Sequence, residues 1–306
     1  MRRPAGHPDP MPTLTVLFAL LAALSNGSTS VLQRVANVSA PAGLDGWWAH
    51  TKYLLRRPLW LLGLLCLIGT FVFTAVALYF GQLTVVQPIY VTELIFTLAL
   101  RRLWLRDEIP TLSWVAAAIL CAGLAGFLLV ARPSPTDRST TAGEWALVLV
   151  ASGIVVGLLV LVARGGSPVR RAALFGAAAG LVWSVDAGVV KAATQVLQRD
   201  GWSGLFLHWP VYVLAVSGML GTLLVQGAFK VGPLGASQPA MLIVEPLAGI
   251  AVGVILFGER LANSPAAIAG EVGALAVMAV GVLLVSRWAP PHIAVRPLTV
   301  ASTHPE

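Results

Sequence analysis

Charge is scarce in this sequence. Of its 306 residues, 11% are Asp, Glu, Lys or Arg, where soluble globular chains carry about 25%. That shortage excludes an ordinary solvated surface, and 57% hydrophobic residues with a mean hydropathy of +0.83 point the same way. Cysteine is nearly missing too. Cys66 and Cys121 both fall inside apolar stretches, where they read as small packing residues and not as a disulfide. The apolar stretches also lack HExxH, GxSxG and any paired Cys and His. An intramembrane protease or lipid transferase needs some such nucleophile or metal set, so an enzyme is not expected. The formal charge of +7 does not imply nucleic acid, because no basic residues interleave with aromatics on a soluble module.

Long apolar runs are abundant instead. A membrane helix needs about 20 mostly apolar residues, and nine segments qualify, at about 13–36, 59–80, 83–101, 112–131, 143–163, 172–198, 208–230, 233–257 and 264–286. The expectation is an all-α integral membrane protein. If the nine spans alternate, the side holding the N-terminus carries six Lys and Arg and the other side thirteen, with Lys191 inside a span. The positive-inside rule then puts the N-terminus outside and the C-terminus in the cytoplasm, in the cell membrane. Arg2 and Arg3, followed by LTVLFALLAALS, imitate a secretory signal, but the helix continues to Ala36 and recurs later, so it reads as a retained span.

The chain is duplicated. A shift of 151 carries Gly81, Leu83, Gln87-Pro88, Glu108 and Ser113 onto Gly232, Leu234, Gln238-Pro239, Glu259 and Ser264. A shift of 157 carries Leu17-Phe18, Ala22, Arg34 and Ala36 onto Leu174-Phe175, Ala179, Lys191 and Ala193. The expected organisation is an external segment at 1–12, a first repeat of four helices at 13–131, a linker with a linking helix at 132–163, a second repeat of four helices at 164–288 and a disordered cytoplasmic tail at 289–306. Five helix positions separate the leading helices of the two copies, so the copies enter the membrane from opposite faces as inverted repeats. Many secondary transporters are built this way, with the substrate site near the midplane between the halves.

Polar residues inside such spans are costly. A carboxylate at the bilayer centre costs about 2.5–3.5 kcal/mol on insertion scales, and such residues line cavities or pair with one another. Glu93, Asp186, Lys191, Glu245 and Glu271 are the ionisable residues well inside the spans. Glu245 lies in SQPAMLIVEPLAG, and VVQPIYVTELIF in the first copy repeats its Gln-Pro and sets Glu93 at nearly the same depth. Glu93 and Glu245 are therefore the leading candidates for the site. Gln87, Gln238 and Trp183, the one tryptophan well inside a span, are further binding candidates. Pro88, Pro239 and Pro246 are expected to interrupt their helices and free backbone carbonyls. Asp186 and Lys191 are five apart, about 140° from alignment on a helix, so they do not face each other. Lys191 is expected to meet Glu245 or Glu93. Glu271 is expected near the external interface, Glu108 and Glu259 read as helix-end caps, and GxxxG spacings at Gly153/Gly157, Gly176/Gly180 and Gly249/Gly253 read as packing surfaces.

A mid-span proline, a short acidic-basic turn (LFGERL, 256–261) and a small-residue helix ending GVLLV (281–285) together resemble the EamA-like proteins of the drug/metabolite transporter superfamily. Ten helices are usual there. The nine-helix layout, with leading helices bearing VLQRVA (31–36) and VVKAA (189–193), is similar to the NIPA-type magnesium transporter branch. The resemblance implies a solute carrier without ATP hydrolysis, and no GxxxxGK[ST] loop contradicts it. Expected partners are the bilayer and a small-molecule or cation substrate, with no nucleic acid and no cofactor. Lys191 would support anionic groups, while Glu93 or Glu245 would carry cations or exchange a proton. A magnesium path would use the same two carboxylates with nearby carbonyls. The reading from another class is a structural or regulatory membrane protein without transport, recognisable by a repeat interface packed solid.

Overall fold

A computed structural model of the chain describes residues 12–38, 52–134, 138, 140–232 and 234–288. The external segment expected at 1–12 lies almost wholly outside the described residues, the tail expected at 289–306 entirely so, and much of the loop between the first two spans does as well. The described residues form helices α1 (Pro12–Val38), α2 (Pro58–Phe80), α3 (Leu83–Tyr90), α4 (Glu93–Leu103), α5 (Thr111–Ala131), α6 (Ala142–Val162), α7 (Pro168–Leu207), α8 (Pro210–Val231), α9 (Leu234–Phe257) and α10 (Pro265–Trp288). Among the described residues nine stretches are long and apolar enough to cross a membrane, α3 and α4 together making one of them. There is no strand among them. A single antiparallel bridge joins Ser134 to Arg260.

Proline sets many of the helix starts. Pro58, Pro168 and Pro210 occupy the first turn of α2, α7 and α8, where a missing N–H costs nothing and the fixed φ favours the helix. The start of α6 uses a capping box instead. Thr141 accepts from the Glu144 N–H while Glu144 accepts from the Thr141 N–H, so two otherwise orphaned donors are satisfied. α7 is helical to Gly201, where φ of 69° and ψ of −168° interrupt it before a last short turn. That conformation is open to glycine at little cost, and it limits the apolar part of α7 close to the end expected at residue 198.

Proline acts differently inside the spans than the sequence led us to expect. The third span is broken, but at Val91–Thr92, where the bonds tighten to Val91 N–H on the Pro88 carbonyl and Thr92 N–H on the Ile89 carbonyl. Pro88 removes a ladder donor, and a short turn of tighter helix follows it. α9, by contrast, runs unbroken through Pro239 and Pro246. Each of those prolines deletes one internal bond, and close packing of α9 on α7 holds the rest of the helix together.

Helix pairs pack where side chains vanish. A Cβ at Gly176 would stand 2.2 Å from the Ser237 carbonyl oxygen, and one at Gly180 would stand 2.5 Å from that of Met241, so α7 and α9 touch backbone to backbone. Gly123 and Gly281 do the same for α5 and α10, facing Met278 N and Leu120 N. Gly249 and Gly253 of α9 receive Gln87 and Thr84 of α3. The Gly153/Gly157 pair behaves otherwise: nothing lies within 4 Å of a Cβ at either. Those two glycines face outward from α6 and are not a contact with a neighbouring helix of this chain. At the helix-pair ends, Gly81 seats against Thr15 of α1, and Gly232 seats against Pro168 and Ala172 of α7. The main core gathers α1, α2, α3, α5, α6, α7, α9 and α10 around Leu83, Leu120, Val189, Leu256 and Val282.

Candidate functional site

Three acids meet in the middle of the bundle. Glu93 begins α4 immediately after the Val91–Thr92 turn, Asp186 lies midway along α7, and Glu245 lies midway along α9 between its two prolines. They are 8%, 2% and 9% exposed. Glu245 is within electrostatic reach of both Glu93 and Asp186, and the half-buried Tyr90 is within reach of Glu93 and Glu245. The opposed glycines set this geometry: with Gly180 against Met241, the backbone of Glu245 is drawn onto α7.

The acids have few partners. Asn26 of α1 donates its amide to Glu93 Oε2. Ser217 of α8 donates to Asp186 Oδ1, while Asp186 Oδ2 is buried without a hydrogen bond. Among the described residues none of the three forms an ion pair. A buried carboxylate left this way is costly as a structural device, because mutual repulsion adds to the loss of hydration. Such an arrangement is poised to accept protons or a cation from outside the protein.

Lys191 is elsewhere. It does not reach Glu93 or Glu245 and instead forms an ion pair with Glu259, just beyond α9, with its Nζ 4.5 Å from the Phe257 ring centre. The reason is position: Lys191 is five residues past Asp186, nearly a turn and a half nearer the end of α7. Glu259 is more than an end cap for its own helix. Its two oxygens accept from Leu83 N–H and Thr84 N–H, each at 2.8 Å, so it caps the amino end of α3. Its counterpart Glu108 is exposed.

The other candidates divide. Gln87 is buried against Gly249 with its Oε1 unpaired, one turn of α3 before Tyr90 and on the seam with α9. Gln238 is exposed and edges a small cleft with Gly176, Val225, Ala228, Ser237 and Met241, away from the acids. Trp183 lies over Gly221 of α8 within an apolar cluster, so its ring packs two helices together. Pro88 is buried in α3 close to the acids, and Pro246 adjoins Glu245. Glu271 is buried on α10, six residues past the start of the helix, with Oε1 unpaired. No group of three or more His, Cys, Asp or Glu among the described residues is arranged to hold a metal ion. Asn26, Tyr90 and Ser217 escaped the sequence reading, and Glu259, read as a helix-end cap, also pairs with Lys191. Asn26 had a signal, as a polar residue in the middle of an apolar helix.

Fold and site define a helical multi-pass membrane protein with a buried group of acids at mid-depth. The chain is 30% identical over 249 residues, 81% of its length, to an uncharacterized protein of Corynebacterium glutamicum, of which the match covers 86%. It belongs to the same family as that protein. No family model matches the sequence, and no solved structure matches it.

Proposed function

We propose that the chain is a secondary carrier of the drug/metabolite transporter type that moves a small solute across the cell membrane by alternating access. The observation that carries this reading is the meeting of Glu93 from the first copy with Asp186 and Glu245 from the second, at mid-depth and without a basic partner among the described residues. A bundle needing only stability has no use for three such acids, whereas a carrier needs polar groups where its two halves meet. With Lys191 engaged by Glu259, the region is acidic, so it favours a proton or the cationic group of a solute over an anion.

The inverted arrangement of the copies is part of this reading. It is supported by the two matched glycine contacts, Gly81 on Thr15 and Gly232 on Ala172. Under the shifts of 151 and 157 these are the same contact. The second lies at Ala172, and the first adjoins Leu83 and hence Lys191, about 28 Å further along α7 at 1.5 Å per residue. The N-terminus is outside in this reading, in keeping with the distribution of Lys and Arg.

The purified protein in liposomes, loaded with a pH-reporting dye and offered amino acids, nucleosides, cationic drugs and magnesium in turn, tests it. Flux of one probe that is lost in Glu245→Gln is the expected result. Flux unchanged by Glu245→Gln removes that residue from the mechanism, and no flux with any probe favours a non-transport membrane protein. Magnesium competes within the same panel, since a hydrated ion could use Glu93 and Glu245 with waters retained.

A further inference from the structure

We propose that Glu259 and Lys191 form a latch that closes one end of the bundle by holding α3, and that α3 is released by swinging about the Val91–Thr92 turn. The inference rests on the carrier reading, and it adds the moving part and the residues that hold it.

The geometry of the latch is specific. Glu259 is 3% exposed and is saturated by Leu83 N–H, Thr84 N–H and Lys191. Its donors come from both copies, Leu83 and Thr84 from the first and Lys191 from the second. The loop that carries Glu259 is fixed to the frame. Glu259 N–H bonds the Gly253 carbonyl, Ala262 N–H bonds that of Ala131, and Ser134 and Arg260 exchange both of their backbone bonds. α3 is the partner with a joint at either end. It has eight residues, Gly81 and Gln82 precede it in extended conformation, and the interrupted ladder at Val91–Thr92 follows it. Glu93 adjoins that turn, so a swing of α3 reaches the acid group directly.

The same parts recur in the sequence at the other end. The shift of 151 sets Glu108 on Glu259 and Leu234 on Leu83, and the shift of 157 sets Arg34 on Lys191. Yet Glu108 is exposed where Glu259 is buried. One latch is shut and the matched acid is unengaged, which is the arrangement required of two gates that close in turn.

The test uses the full chain in detergent micelles, where both ends are wet, with Cys66 and Cys121 replaced by alanine. Thr84→Cys supplies the reporter thiol. The backbone N–H of that position is retained, and the hydroxyl it loses makes no hydrogen bond. Ser113→Cys, equally buried on α5, supplies the control thiol in a separate variant. When Glu259→Gln or Lys191→Met is added, a hydrophilic maleimide should modify the reporter thiol at least tenfold faster while the control thiol is unchanged. Adding Glu108→Gln should leave the reporter slower to react than before, because the competing gate is weakened. Unchanged reactivity of the reporter, equal acceleration of reporter and control, or acceleration by Glu108→Gln would overturn the latch. Flux measured separately distinguishes the two failures: accelerated labelling without flux retires the carrier, and flux with unchanged labelling retires only the latch.

Discussion

Alanine at Gly176 or Gly180 should loosen the bundle at the seam that positions Glu245. At Gly176 the new Cβ falls 2.2 Å from the Ser237 carbonyl oxygen, and Cβ atoms essentially never come closer than 3.0 Å to such a neighbour. α7 and α9 must therefore part by at least about 0.8 Å, and overpacking of this kind costs about 1–3 kcal/mol. The opposing gain is the better helix propensity of alanine, about 0.8–1 kcal/mol. Gly153→Ala and Gly157→Ala isolate that gain, since nothing lies within 4 Å of either position. Melting followed by size-exclusion of the detergent-solubilised protein reads the difference. One kcal/mol moves the midpoint by about 2–4 °C in domains of 150–250 residues. Gly176→Ala and Gly180→Ala should melt lower than the wild type, and Gly153→Ala and Gly157→Ala at or above it. Equal shifts in the two sets would refute the backbone-to-backbone seam.

The acids carry an opposite expectation. Glu245→Gln and Asp186→Asn should raise the melting point while flux is lost, because removing a needless carboxylate recovers up to about 3 kcal/mol of insertion cost; a lower melting point would assign these residues to structure. Ser217→Ala withdraws the donor on Asp186 and should cost about 1–3 kcal/mol in the wild type, but almost nothing once Asp186→Asn is present, which a double-mutant cycle of melting points reads. Gly201→Ala meets no neighbour within 4 Å, so its cost of about 1–3 kcal/mol would be backbone strain alone, measurable as a lower melting point with flux retained. A green fluorescent reporter fused after the last helix should fluoresce in intact cells, and a dark fusion would reverse the orientation.

Much of the bundle was legible because the signal for a span is additive. Twenty apolar residues carry it together, and no single contact decides it. Burial of Glu93, Asp186 and Glu245 could be expected from the same argument, since a charge inside a span turns away from lipid. Pairings could not. Lys191 meets Glu259 because the chain reverses just past Phe257, where the Glu259 N–H bonds the Gly253 carbonyl, and brings the acid back to Lys191 on α7. Pro88 and Pro246 share one chemical property, a missing N–H. Only the first is followed by an interruption, whereas α9 is gripped by α7 at Gly176 and Gly180, on either side of Pro239 and just before Pro246. Gly153 and Gly157 show the same limit: the spacing fits a contact, but the partner is decided by which face of α6 meets α7.

Positions matched by the two shifts would share their surroundings if the copies stood in the same conformation, and the way they depart from this is selective. Contacts within a copy are kept: Ala22 and Ala179 are both fully buried, and Gly81 and Gly232 are both seated against their leading helices. Residues along the seam between copies differ: Gln87 is buried on Gly249 while Gln238 is exposed, and Glu259 is buried on α3 while Glu108 is exposed. Sequence contributes to that difference, because the shift of 151 sets Leu98 where Gly249 receives Gln87 and Gly235 where Thr84 donates to Glu259. The copies also differ internally, since the third span is interrupted at Val91–Thr92 and its match α9 is not. In the proposed carrier, two helix pairs that rock across a shared face would preserve the leading-helix contacts of Gly81 and Gly232 and exchange those at the seam, because packed interfaces change between discrete arrangements and do not deform continuously.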